Sequence, residues 1–249
     1  MSAHVRVSTD GGVTTIAIAR PGKKNALTGA MYDAMIAALD AAEADDAIGA
    51  VIVHGEGGAF TAGNDIADFL ATTKDMTNFA GLRFVRRIAL FDKPLVAAVD
   101  GVAIGVGATM LFHCDLVYAT PAAQFRMPFV DLGLVPEAGA SLLAPLRVGM
   151  ARATEMLMLA EPFDAARAEA LGVVNAVVPA DLLLGVAREK AGRLAAKPRQ
   201  ALAATRRLMR GDRADILARI DAEAREFGAR MVSDEARAVF MAFMSRSKK

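Results

Sequence analysis

Three short stretches of this sequence bring together residue types that can do chemistry. In Ala62-Gly63-Asn64 and Gly105-Val106-Gly107, glycines expose backbone just beyond apolar runs at 51–53 and 95–99. A strand that ends in such a loop and passes into a helix leaves free N–H groups at the helix start, where negative charge is favoured. Two such junctions on neighbouring parallel strands can converge on one developing oxyanion. Glycine also lets a loop pack closely on a helix, and spacing alone leaves both readings open. The third stretch, Gly133-Leu134-Val135-Pro136-Glu137-Ala138-Gly139, sets a carboxylate in an apolar, glycine-rich turn. Glu137, behind Pro136, either complements a helix dipole from its first turn or is a carboxylate that desolvation tunes toward general-base duty.

Other arrangements carry less. His4, His54 and His113 lack the paired spacing of a metal site. His113 and Cys114 are adjacent, so on a helix their side chains diverge, and both read as core residues rather than a nucleophile pair. No G-x-S-x-G occurs, so a serine hydrolase would lack its nucleophile elbow. Gly105-x-Gly107 leads to Met110 where a dinucleotide fingerprint needs glycine. Arg83, Arg86 and Arg87 share a helical face, either solvated or turned to an anionic ligand.

These stretches must be positioned by regular elements. Apolar runs at 5–7 and 13–18 flank Thr9-Asp10-Gly11-Gly12, a hairpin signal. Asn25 or Thr28 can cap a helix over 29–44, with Met31, Met35 and Leu39 on one stripe. Strands follow at 51–53, 95–99, 116–118 and 124–127, with helices expected at 74–91 and 106–113. Alternation of buried strand and helix argues an α/β fold with a parallel sheet. Beyond Gly149 the periodicity is helical, over 152–160, 164–171, 182–196, 199–210, 214–228 and 234–245. A last short strand is expected at 175–178. The reading places a core at 1–195 and a C-terminal helical region at 196–249.

Composition narrows the function classes. The chain of 249 residues carries 29 Lys+Arg against 28 Asp+Glu, so there is no basic field for nucleic acid. The hydrophobic share is 54% with only 6% aromatic, so the surplus is small and aliphatic and disorder is excluded. A single cysteine, Cys114, permits neither an internal disulfide nor a cysteine zinc site and suits a reducing cytoplasm. The opening residues show no secretory pattern, and the final Ser247-Lys248-Lys249 is not the peroxisomal Ser-Lys-Leu. The apolar stretch 95–114 is interrupted by Asp100 and three glycines, so it reads as strand, loop and buried helix rather than a membrane span.

Taken together, these motifs resemble the enoyl-CoA hydratase/isomerase (crotonase) family. The likeness rests on Arg20-Pro21 through Asn25-Ala26-Leu27, Ala59-Phe60-x-Ala62-Gly63-Asn64-Asp65-Ile66, Lys93-Pro94-Leu95 through Asp100-Gly101, and Gly105-x-Gly107. It continues through Cys114-Asp115-Leu116, Ala123-Gln124-Phe125, Pro162-Phe163-Asp164-Ala165, and Leu171-Gly172-Val173-Val174-Asn175 to Pro179. It runs in order from about residue 5 to 245. The resemblance implies a spiral of ββα units with a C-terminal helical trimerisation region, and an acyl-CoA ligand. It implies an oxyanion hole from the N–H groups of Ala62 and Val106. It implies CoA or substrate contacts at Lys24, Ala26, Leu27, Gly63, Asn64, Asp65, Ile66, Gly105, Phe129, Phe243 and Arg246. No metal and no separate cofactor are implied, since coenzyme A is part of the substrate.

The departures carry the specificity. Hydratases of this family use two glutamates to activate water, and the matching positions here are Thr109 and Phe129, neither of which can be a carboxylate base. Glu137 instead stands where the peroxisomal-type Δ3,Δ2-enoyl-CoA isomerases, which this stretch resembles, keep a single catalytic glutamate. One carboxylate suffices for a 1,3-proton shift. The alternatives are a hydratase or other enolate-forming enzyme using Glu137 alone, and a catalytically weak acyl-CoA-binding protein. A related-fold protease lacks its serine.

The aliphatic surplus then divides between buried strands, an acyl pocket and helix faces shared between copies, as a homotrimer or a hexamer of paired trimers. Size-exclusion with light scattering is expected to give three or six times the chain mass of 26.1 kDa. A monomer would leave the surplus without a use.

Overall fold

The computed structural model describes residues 2–68 and 79–246, apart from the side chains of Phe240 and residues 243–246. The chain opens with a hairpin, β1 (Val5–Asp10) and β2 (Val13–Ile18), turned at Gly11-Gly12. From there β3 (Ala50–Gly55), β4 (Leu95–Val99), β6 (Leu116–Ala119) and β9 (Ala176–Val177) add in parallel, giving the sheet order β1-β2-β3-β4-β6-β9. A second sheet holds β5 (Val102–Ile104), β7 (Gln124–Arg126) and β8 (Phe163–Asp164). Two single bridges, Thr61 to Ala103 and Leu27 to Asn64, carry this second layer outward from β5. Successive turns of the chain lay one strand in the large sheet and one in the small layer, which is the ββα spiral of the crotonase fold.

Among the described residues the helices include α1 (Gly29–Ala44), α2 (Ala80–Leu90), α3 (Val106–Thr109), α4 (Ala140–Val148), α5 (Met150–Leu157), α6 (Ala165–Ala170), α7 (Leu183–Ala195), α8 (Arg199–Arg210), α9 (Arg213–Met231) and α10 (Asp234–Arg246). Thr28 caps α1, its hydroxyl accepting from the Met31 N–H, so Asn25 is released from that duty. The first part of the helix expected at 74–91, residues 74–78, lies outside the described residues. Two strands went unread, β5 and β8, at three and two residues too short to show a period. Helix α4 was read only as one alternative, beginning at Pro136 rather than at Ala140.

Central strands are buried on both faces, and the period of two sorts their side chains. Val51, Val53, Ala97 and Val99 point toward α1 and α2, against Met31, Met35 and Phe84. Ala50, Ile52, Val96 and Ala98 point the other way, against Leu183, Ala187 and Ala191 of α7. The arginines of α2 are paired rather than free. Arg83 meets Asp33, Arg87 meets Asp40 and Glu43 of α1, and Arg86 meets Asp221 of α9. The stretch 95–114 is strand, turn, strand and short helix, and no described helix is long and apolar enough to cross a membrane.

Asp115, at the mouth of β6, anchors the C-terminal helices. Its carboxylate accepts from the Leu95 N–H at 2.8 Å, from Arg206 Nε at 2.8 and 3.0 Å and from Arg210 Nη2 at 2.9 Å. Arg206 is 6% exposed and its Nη1 also donates to the Phe91 carbonyl at 2.6 Å. Removing one member of a buried ion pair strands the other charge. Asp115→Ala is therefore expected to cost about 3 kcal/mol, read as a lowered urea midpoint.

Candidate active site

Glu137 does not stand in a helix. It lies three residues ahead of α4, in a turn where Ala138 and Gly139 both take positive φ, +61 and +70. The dipole-complement reading therefore fails on position. That conformation is unfavourable for alanine and is held by its surroundings. His113 Nε2 lies 2.7 Å from the Ala138 carbonyl, an acceptor, so that nitrogen carries the proton. Burial, chiefly, pulls the His113 pKa down to about 4, so the ring is neutral. Beyond the turn, Glu223 of α9 accepts from the N–H groups of Gly139 at 2.6 Å and Ser141 at 2.8 Å. From the other side, the hydroxyl of the buried Thr109 donates to Glu137 Oε1 at 2.5 Å.

The Glu137 carboxyl faces a cavity of about 30 Å³ walled by Leu82, Val85, Ile220, Ala224 and Phe227, with Tyr32, Asn64 and Val106 at its edge. Desolvation there pushes its pKa from 4.5 up to about 8, against the Thr109 hydrogen bond and with the nearby Glu223 charge. A neighbouring cleft of about 770 Å³ is lined by Ala62, Gly63, Ile66, Gly105 and Phe129, and by Val239 and Ala242 of α10. Asn64, Val106 and Phe227 line both spaces, so they mark the passage between them.

Backbone donors at that passage differ from expectation in one position. The Ala62 N–H donates to the Lys24 carbonyl at 2.9 Å, so it is engaged within the protein and does not serve as an oxyanion donor. Asn64 lies two residues on, and its bridge to Leu27 uses the Gly63 carbonyl and the Asp65 N–H, not its own. Among the described residues, neither the Asn64 nor the Val106 N–H has a partner. Gly105 makes the second donor possible, because its φ of +57 swings the chain into α3 with Val106 first in the helix. Gly107 packs α3 onto the other loop, since a Cβ there would sit 2.6 Å from Thr61 Cγ2. The close-packing reading of glycine holds, and that packing brings the two junctions to one place.

The remaining expected residues divide by position. Gly63, Asn64, Ile66, Gly105 and Phe129 line the cleft, whereas Lys24, Ala26, Leu27 and Asp65 line neither space. Leu27 is 1% exposed and belongs to the core, so its side chain is not free for a ligand. Asp65 is a structural anion. It pairs with Arg20 at 2.7 Å and accepts from the N–H groups of Ala67 and Asp68, which hold its pKa below the usual carboxylate range. Lys24 stands exposed beside the Ala62 junction. Phe243 and Arg246 belong to α10, with side chains outside the described residues. Asp131 does border the cleft, tied to Arg126 at 2.8 Å. Cys114 is buried with its thiol pushed up to about 12, so it is inert.

Sequence reasoning missed several residues that support the site. Asn25, fully buried at φ +58, accepts from the Arg20 N–H and donates to the Glu56 and Ala59 carbonyls. Its own carbonyl accepts from the Thr61 hydroxyl, so it holds the Ala62–Asn64 junction in place. The signal was available in Asn's tolerance of left-handed backbone. Tyr32, which the sequence reading did not single out, donates its hydroxyl to Asn64 Oδ1 at 2.6 Å.

A carboxyl raised in pKa by desolvation beside two unpartnered amides is an arrangement able to take a proton next to a carbonyl and hold the resulting enolate. Comparison with known proteins gives the family. The pattern of the enoyl-CoA hydratase/isomerase family matches residues 8–249. Enoyl-CoA delta isomerase 2 of Rattus norvegicus is 34% identical over 255 residues, which takes in 100% of this chain and 65% of the relative. The chain therefore spans less than two-thirds of that relative's length. The short-chain-enoyl-CoA hydratase of Clostridium acetobutylicum is 30% identical over 98% of this chain and 96% of its own length. Among solved structures, an enoyl-CoA hydratase/isomerase from Pseudoalteromonas atlantica T6c superposes with a TM-score of 0.93 at 37% identity, covering 98% of this chain and 97% of that one. The chain belongs to the enoyl-CoA hydratase/isomerase family.

The raised pKa has a consequence for stability. In the unfolded chain Glu137 ionises near 4.5, while in the folded protein it holds its proton to about 8. The folded state therefore loses stability relative to the unfolded as pH rises between those values. Glu137→Gln removes that loss. The variant is expected to raise the Tm, and the gain is expected to be larger at pH 8 than at pH 5.

Proposed function

We propose that the protein is a Δ3,Δ2-enoyl-CoA isomerase acting on acyl-CoA thioesters. The observation that carries this reading is the single carboxyl, Glu137, held near pKa 8 in an apolar cavity that Asn64 and Val106 also line. The larger cleft, of about 770 Å³, is the space with room for an acyl-CoA thioester, and the Glu137 cavity adjoins it at Asn64, Val106 and Phe227. The Glu137 carboxylate removes a proton from C2 of a 3-enoyl-CoA. The electron pair moves into the conjugated system, and the thioester oxygen of the dienolate takes its charge against the Asn64 and Val106 N–H groups. The Glu137 carboxylic acid then returns the proton to C4, leaving the double bond between C2 and C3. The shift is redox-neutral and needs no cofactor, coenzyme A arriving with the substrate.

The positions that would bring a second acid support isomerisation over hydration. Thr109 is the hydrogen-bond donor to Glu137, and Phe129 is an apolar wall of the cleft. Glu223, the other carboxyl in the field of Glu137, is occupied by two backbone N–H groups. The name of the rat relative points the same way, while that of the clostridial relative keeps hydration as the second reading. Exposed apolar side chains at Leu146, Met150, Met158, Leu208 and Met209, each between 69% and 83% exposed, support association of copies into a trimer or hexamer.

Purified protein is expected to convert 3-enoyl-CoA to 2-enoyl-CoA with little water addition, its rate rising with pH through about 8 as Glu137 ionises. Glu137→Gln is expected to lower kcat by about 10³-fold. Undiminished turnover in that variant would remove Glu137 from the mechanism, and hydration exceeding isomerisation would favour the second reading. Binding without either reaction would point to an acyl-CoA-binding protein.

A further inference from the structure

We propose that Glu223 is the positioning residue of this site, a clamp from the C-terminal helix α9 that holds the Glu137 turn by its two carboxylate oxygens and sets the charge beside it. The proposal rests on the isomerase reading for its kinetic arm only.

The geometry is specific. Glu223 is 6% exposed, and each of its oxygens takes one backbone N–H, Oε2 from Gly139 at 2.6 Å and Oε1 from Ser141 at 2.8 Å. These are two of the donors that α4 leaves unsatisfied at its start. No residue of the turn itself supplies the cap, since Gly139 stands at the N-cap position. The clamp therefore grips the chain two residues past Glu137, while His113 grips the Ala138 carbonyl between them. Ala138 is held at positive φ from both sides, and the direction of the Glu137 side chain follows from that hold. Glu223 lines neither the Glu137 cavity nor the larger cleft, so it acts through the turn and not on the substrate.

Charge is the second part of the clamp. The groups facing Glu137 are the Tyr32 hydroxyl from α1, the Thr109 hydroxyl from α3 and Glu223 from α9. Facing Glu223 are Arg219 on its own helix, the Ser141 hydroxyl and the two α4 amides. Arg219 donates to the Ser141 hydroxyl at 3.2 Å, so its charge is shared with the helix start and only partly offsets Glu223. An anion at this place disfavours a second anion at Glu137. Two substitutions separate grip from charge. Gln keeps one accepting oxygen and drops the charge, whereas Asp keeps the charge but is one methylene too short for the grip.

The test titrates the Glu137 carboxyl directly, by carbon-13 shift in Glu-labelled protein assigned against Glu137→Gln, alongside kcat and KM on 3-enoyl-CoA. In Glu223→Gln the Glu137 midpoint is expected to fall by about half a pH unit or more, and kcat by about tenfold or more, with KM little changed. In Glu223→Asp the midpoint is expected to stay near that of the wild type while kcat falls similarly. Unchanged midpoint and unchanged kcat in Glu223→Gln would overturn the proposal. Should that variant not fold, full kcat in Glu223→Asp would overturn it. If the wild type fails to isomerise 3-enoyl-CoA, the functional reading fails while the titration still decides the role of Glu223.

Discussion

The energy needed to keep one carboxyl out of water governs the architecture around it. Glu137 lines a cavity whose other walls are mostly aliphatic and aromatic, and its ionised form has almost nothing there to stabilise it except the Thr109 hydroxyl. Such a group stays in place only if the backbone carrying it cannot swing toward solvent. That is why the surrounding contacts go to main-chain atoms: His113 to the Ala138 carbonyl, Glu223 to the Gly139 and Ser141 amides. The residues that hold Glu137 come from α9, α3 and the segment after it, so the turn is fixed by parts of the chain far apart in sequence. Desolvation that makes the carboxyl a base near neutral pH and immobilisation that keeps it desolvated are one condition.

The two-layer spiral supplies that condition on the opposite side as well. Parallel strands of the large sheet end at a common edge, and each is followed by a segment of the small layer before a helix begins. The junction after β3 carries Asn64, and the junction after β5 carries Val106. Bridges between Thr61 and Ala103, and the packing of Gly107 on Thr61, draw these two junctions together. Both unpartnered N–H groups belong to residues that border open space, where a backbone donor can still find a partner. The fold thus sets two unpartnered amides and the Glu137 carboxyl around one space, with the amides fixed by the sheet and the carboxyl by the helices.

How far this could be read in the sequence depended on the range of the interactions. α1, β4 and α8 have the bounds that capping residues, Pro94 and the run of period 3.6 suggest, because those signals are local. Glu137 stood out as a charge among apolar residues, yet its place before the helix rather than within it was not legible, since α4 is capped by a residue 84 positions away. The sequence reading put the free amide of this junction at Ala62, two residues before Asn64, for a similar reason. Ala62 and Asn64 flank the same glycine, and only the Lys24 carbonyl, which occupies the Ala62 N–H, distinguishes them. Asp115 likewise reads as a family motif residue, while its grip on Arg206 91 positions later appears only in three dimensions.

The substitutions that set this chain apart from a two-glutamate hydratase act together. With threonine at 109, a neutral donor meets Glu137 where a second carboxylate would repel it, so Glu137 ionises at a lower pH than burial alone would dictate. With phenylalanine at 129, 6% exposed, the side chain at that position of the cleft wall offers a water molecule no acceptor. Glu137 is the carboxyl that lines this cavity among the described residues, so on the proposed chemistry the acid that took the proton is also the one placed to return it. On the proposed chemistry, the loss of two carboxylates is therefore what directs the returning proton to carbon.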